Sequence, residues 1–132
     1  MAYPKNLKVL VIDDISSMRD IMVTMLKEIG FNNIEEAQDG HKAWEMIEDA
    51  QKEGEPYQFF VSDWNMPKMS GIDLLKKVRA KDELKEIPFL MITGRSEQRN
   101  VVSALKEKVT HFIIKPFSSK TLREKIDKIF TK

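Results

Sequence analysis

The sequence predicts an α/β fold, a doubly wound parallel sheet of five strands with five helices covering both faces. Three observations lead there. Short apolar runs alternate five times with amphipathic stretches, the pattern of strand–helix units in a parallel sheet. Each apolar run ends in a polar or charged residue. No linker, repeat or low-complexity segment interrupts the alternation, so residues 1–132 read as one domain with no room for an output domain.

The elements follow in order. Leu7 to Ile12 is a nearly continuous apolar run that stops at Asp13-Asp14, and it reads as a strand buried on both faces. Ser16 or Ser17 is placed to cap a helix. Met18, Ile21, Met22, Met25, Leu26 and Ile29 then form a helical stripe, and Gly30 is the expected left-handed stop. Ile34 to Ala37 is a weak strand, expected near an edge. Asp39-Gly40 turns the chain into a helix with Ala43, Trp44, Met46, Ile47 and Ala50 on its apolar side. Gln58 to Ser62 is a third strand that ends at Asp63, and a loop runs from Trp64 to Gly71. Ile72, Leu74, Leu75 and Val78 mark the next helix. Phe89 to Ile92 is a strand ending at Thr93-Gly94, followed by a helix carrying Val101, Val102 and Leu105. Phe112 to Ile114 is the last strand and ends at Lys115-Pro116. Ser118 or Ser119 caps a final helix with Leu122, Ile126, Ile129 and Phe130.

Composition narrows the function classes. Hydrophobic residues make up 42% and charged residues 33%, which suits a soluble globular chain. There is no cysteine, so disulfide and thiolate chemistry are excluded. No signal peptide or membrane-spanning run is visible, and a cytoplasmic location is expected. The net charge of +1 conceals an asymmetry: residues 13–63 carry 13 acidic and 4 basic side chains, and residues 95–132 carry 10 basic and 4 acidic. Solvated helix faces account for much of this. A cation site in the first half and an acidic partner for the second are the sharper readings. Near-neutral charge and the lack of a second domain disfavour nucleic-acid binding.

In an open parallel sheet the ligand site lies beyond the carboxyl ends of the strands. Asp13-Asp14, Asp63, Thr93 and Lys115 follow strands one, three, four and five, at separations of 50, 30 and 22 residues. Singly, each is an ordinary turn or cap residue. Together they bring three carboxylates, a hydroxyl and an ammonium to one end of the sheet. Three close carboxylates raise one another's pKa unless a cation intervenes. An all-oxygen site with room for phosphate oxygens and water suits Mg2+, and the lack of His or Cys there argues against zinc. A carboxylate can also act as a nucleophile toward phosphorus, a reaction that needs in-line positioning and neutralised equatorial oxygens. Asp63, a lone carboxylate on a middle strand, is the natural acceptor. Asp13 and Asp14 suit metal ligation, and Thr93 and Lys115 suit the remaining phosphoryl oxygens. The eight methionines lie mostly on apolar stripes and read as core filler. His41 and His111 fit no ligand spacing.

The residues Val11-Ile12-Asp13-Asp14, Met18-Arg19, Glu35-Glu36-Ala37, Asp39-Gly40, Asp63 to Pro67, Ser70-Gly71, Thr93 and Lys115-Pro116-Phe117 resemble the receiver domains of bacterial two-component signalling, the CheY-like chemotaxis kind among them. The resemblance spans nearly the whole chain. It implies the flavodoxin-like strand order 2-1-3-4-5 and a cis Lys115–Pro116 peptide. It implies phosphorylation of Asp63 by a sensor histidine kinase (CheA-like), with Mg2+ held by Asp13, Asp14, Asp63 and the backbone carbonyl of Asn65. A two-state switch through Thr93 and Phe112 is also implied, where the CheY-like proteins carry Tyr in place of Phe112. Asn65 and Arg95 would flank the attacking water and tune dephosphorylation, Arg95 standing where those proteins have an acidic residue. Gln98, Val101, Leu105, Phe112, Ile114 and Lys125 would form the partner face, toward the flagellar motor switch protein or another target. The implied protein is a monomeric signalling domain that catalyses only its own phosphotransfer and slow dephosphorylation. A phosphate sink or relay that does not bind the motor is the alternative. A Mg-dependent aspartyl-phosphate phosphatase is disfavoured, because Ile15 occupies the position where such enzymes need an acid–base Asp. A flavin- or nucleotide-binding module is disfavoured by the negative charge at Asp13-Asp14, where phosphate would sit.

Overall fold

The computed structural model describes residues 6–64, 66, 69–94 and 111–130. Within them the chain runs β1 (Lys8–Ile12), α1 (Ser16–Ile29), β2 (Asn33–Ala37), α2 (Gly40–Lys52), β3 (Phe59–Asp63), α3 (Gly71–Ala80), β4 (Phe89–Thr93), β5 (His111–Ile114) and α4 (Ser119–Phe130). The five strands form one sheet in the order β2-β1-β3-β4-β5, and every adjacent pair is parallel. Four helices fall within the described residues. The helix expected around Val101–Leu105 lies outside them.

Alternation along the strands assigns the helices to faces. Leu10, Ile12, Phe60, Phe89 and Met91 point to one side and pack with Ala43, Ile47, Leu74, Leu75 and Val78 of α2 and α3. Val9, Val11, Phe59, Val61, Leu90, Ile92 and Ile113 point to the other side and pack with Met22, Leu26, Leu122 and Ile126 of α1 and α4. A side chain as buried as Phe59 contributes about 2–3 kcal/mol by leaving water, and Phe59 also meets Phe130 edge-on with ring centroids 5.2 Å apart. β2, at the edge, buries only Ala37 fully, which explains its weak apolar signal.

The caps show where local signals hold. Asp39, Ser70 and Ser118 accept from the backbone N–H three residues on, and Gly30 closes α1 with φ 131°. The cap expected at Ser16 or Ser17 is a correction. α1 begins at Ser16 behind Ile15, with no side-chain cap: both serines already lie inside its first turn, and Asp13 Oδ1 accepts from the Ile15 N–H in the turn before the helix. The stripe on α1 is narrower than its sequence implies as well. Met22, Leu26 and Ile29 are buried, whereas Ile21 is 48% exposed and lines a surface groove with Met18, Met25, Pro116 and Phe117.

Candidate functional site

The parallel sheet carries the ends of β1, β3, β4 and β5 to one edge, and the expected side chains arrive there. Asp13 follows β1 directly. Its N–H donates to the Ala37 carbonyl at 3.2 Å, its Oδ1 accepts from the Ile15 N–H at 2.9 Å, and its carbonyl accepts from Arg19 Nη1 at 2.7 Å. Asp14 is exposed. Asp63 closes β3 and is 4% exposed. The turn after it is pinned, since the Trp64 N–H reaches the Ile92 carbonyl at 2.8 Å and the Trp64 carbonyl accepts from the Gly71 N–H at 2.9 Å. Thr93 closes β4, is buried, and holds its hydroxyl 3.3 Å from the Gly94 carbonyl. The Lys115 N–H donates to the Thr93 carbonyl at 2.8 Å, so the end of β4 fixes where the lysine leaves β5. The Lys115–Pro116 peptide is cis, as the resemblance implies.

One carboxylate oxygen from each of Asp13, Asp14 and Asp63 lies within 4.8 Å of the others. Lys115 Nζ sits 2.9 Å from Asp63 Oδ1. The contact is a close ion pair to a buried carboxylate oxygen. Burial is the main reason that the Asp63 pKa is pushed up to about 6; the nearby Lys115 ammonium pulls it down and Asp13 pushes it up. Burial also raises the Asp13 pKa, against the Ile15 N–H and Lys115, with Asp14 adding to the rise. The apolar backing that desolvates both carboxyls is made of Met18, Met22, Val61, Ile92 and Phe117.

Among the described residues, three carboxylates face a single ammonium. A hard cation with oxygen ligands fits that donor set. With no other group the site carries uncompensated negative charge in an apolar setting, which is unfavourable.

Two glycines make the close packing possible. A Cβ on Gly71 would overlap the Asp63 carbonyl oxygen and come within 2.9 Å of the Met91 sulfur. One on Gly40 would come within 2.7 Å of the Met69 carbonyl oxygen. Of the other expected residues, Phe112 is half-buried, packs partly against the core on the α2–α3 side, and has Lys125 Nζ 5.7 Å from its ring centroid. Phe112, Ile114 and Lys125 line one hollow with Thr121. Asn65, Arg95, Gln98, Val101 and Leu105 lie outside the described residues.

Sequence reasoning gave no role to Arg19, Glu36 or Gly71, although all three stand in the motifs it quoted. The polar Arg19 beside Met18, on a helix that begins just after Asp13-Asp14, is the one signal that could have pointed to the first of them.

Residues 9–127 match the response regulator receiver domain family. The chain is 48% identical over 126 residues to the chemotaxis protein CheY-3 of Vibrio cholerae, covering 96% of this chain and 93% of that one. It is 42% identical over 124 residues to the chemotaxis protein CheY of Pseudomonas aeruginosa, covering 94% and 96%. The crystal structure of the chemotaxis response regulator CheY4 of Vibrio cholerae superimposes with a TM-score of 0.82 at 29% identity, covering 95% of this chain and 99% of that one. The fold, the acidic cluster at the strand ends and these matches agree: the chain belongs to the response regulator receiver family, a family of signalling proteins rather than enzymes.

Proposed function

We propose that this protein is a chemotaxis-type phosphorylation switch in which Asp63 accepts a phosphoryl group from a phosphohistidine of a CheA-like kinase. A carboxylate oxygen of Asp63 attacks phosphorus in line with the P–N bond. The O–P bond forms as the P–N bond breaks, and the leaving imidazole nitrogen keeps the electron pair. Lys115 takes charge from one equatorial oxygen and the Thr93 hydroxyl donates to another, once it has left the Gly94 carbonyl. Asp13, Asp14, Asp63 and the Asn65 carbonyl would hold Mg2+, which supplies neutralisation of the transferred group's charge.

Phosphate then biases a two-state equilibrium. Movement of Thr93 toward the phosphoryl group opens space that Phe112 fills. Phe112 fills it without an O–H to donate, so packing alone holds the active state on this strand. The readout is protein binding at the face containing Phe112, Ile114 and Lys125, extended by Gln98, Val101 and Leu105, with a flagellar motor switch protein as the target. Asn65 and Arg95 set how long the phosphate lasts.

The observation that carries this reading is the buried Asp63 carboxylate, paired with Lys115 Nζ at 2.9 Å and inside the acidic triad. Incubation with acetyl phosphate and magnesium tests it. The expected result is a gain of about 80 Da, one phosphoryl group on an aspartate, that needs magnesium and vanishes in Asp63→Asn. A gain that survives Asp63→Asn would refute the assignment.

A further inference from the structure

Arg19 projects from the first turns of α1, and its side chain is only 17% exposed. Nη1 donates to the Asp13 carbonyl at 2.7 Å, and Nε donates to Glu36 Oε1 at 3.2 Å. The guanidinium therefore ties the end of β1 to the end of β2. The two other anchors of Asp13 come from backbone groups, the Ala37 carbonyl and the Ile15 N–H. Arg19 is thus the one side chain among the described residues that holds the Asp13 main chain. Its contact fixes the plane of the peptide between Asp13 and Asp14, the two carboxylates that must point into the triad.

We propose that Arg19 is a positioning residue for the cation site: it orients Asp13 and Asp14 from behind, and Glu36 holds Arg19 in place. This inference rests on the cation reading of the triad given above.

The sign of the effect makes the idea testable. A positive charge this close to a cation site, acting through space alone, weakens cation binding, so its removal would tighten magnesium. A positioning contact does the opposite, and loss of an outer contact to a ligand typically weakens metal affinity about 10- to 100-fold. Lysine keeps the charge but cannot make both planar contacts at once.

Magnesium titration followed by tryptophan emission reads this directly in the full chain, since Trp64 adjoins Asp63. Arg19→Met is expected to weaken magnesium about 10-fold, and Arg19→Lys to fall between it and wild type. Glu36→Gln, at a side chain 41% exposed and therefore safe for folding, is expected to weaken magnesium less, in the same direction. In an Asp13→Asn background Arg19→Met is expected to have a clearly smaller effect, because only Asp14 is then left for the contact to orient as a charged ligand. Equal or tighter magnesium binding in Arg19→Met overturns the proposal whatever Glu36→Gln does, since loss of the Glu36 charge weakens a cation through space as well, and so does the same fold-loss with and without Asp13. A wild-type protein with no magnesium response would instead overturn the reading of the triad itself.

Discussion

Near the amino end of the sheet, Tyr57 donates to Glu35 Oε1 at 2.5 Å, Lys8 Nζ lies 4.5 Å from the centre of the Tyr57 ring and donates to the Glu55 carbonyl at 2.7 Å, and the Lys8 N–H reaches Gln58 Oε1 at 3.1 Å. At the carboxyl end, among the described residues, three carboxylates meet one ammonium, that of Lys115, 2.9 Å from the buried Asp63 Oδ1. Both ends bring acidic and basic groups together against an apolar core. One end satisfies its polar groups and the other leaves a deficit. The deficit is what permits a cation and a phosphoryl group to bind there, and the satisfied end keeps the strands in register while they do.

The strongest way to break this comparison is steric. Gly71→Ala places a methyl group on the Asp63 carbonyl oxygen and beside the Met91 sulfur. Overpacking of this kind costs about 3 kcal/mol. Urea denaturation should show a matching fall in midpoint, and magnesium binding should weaken in the molecules that remain folded. An unchanged midpoint would mean that the start of α3 does not press on the site.

Charge sharpens the comparison next. A carboxyl whose pKa in the folded protein lies near 6, above its ordinary 3.8, binds its proton more tightly when folded. That contribution to stability is fully present below about pH 4 and is lost as the pH rises through about 6. Without divalent cations, Asp63→Asn is therefore expected to stabilise the protein at pH 7 by about 1–3 kcal/mol and to have little effect at pH 4. Magnesium at about 100 times its dissociation constant should raise wild-type stability by about 2.7 kcal/mol and remove much of the advantage of the variant. Thermal unfolding at the two pH values, with and without magnesium, checks both signs.

The smallest effect lies at the satisfied end. Tyr57→Phe removes the O–H that Glu35 accepts but keeps the buried ring, so a loss of about 1 kcal/mol is expected. Autophosphorylation from acetyl phosphate should proceed at the wild-type rate. A change in that rate would show that the two ends are coupled through β1 and β3.

Much of this was legible along the chain. The strands announced themselves as apolar runs, and the chemistry announced itself as the residue that stopped each run, because strand periodicity and strand ends are local features. Ile21 and the serines before α1 show where local signals fail. Ile21 sits at a helical spacing that suits burial, yet it faces a groove between α1 and Phe117. Ser16 and Ser17 are good capping types, yet α1 already includes both, with Ile15 at the cap position. Residue type alone settles neither where a helix begins nor which of its faces a neighbouring segment covers.

The alternation of strands and helices, the two-sided burial of the sheet, and the gathering of Asp13, Asp14, Asp63, Thr93 and Lys115 at one edge could all be read from the order of residues, since they follow from periodicity and from where each apolar run ends. It took the folded molecule to show that Arg19 grips the Asp13 carbonyl, that Gly71 leaves room for the Asp63 carbonyl, that Tyr57 meets Glu35, and that Lys115 pairs with the buried Asp63 Oδ1. These depend on distances of a few ångströms between segments that are remote in the chain. Such distances are set by strand register and helix packing, which no local pattern of residues encodes.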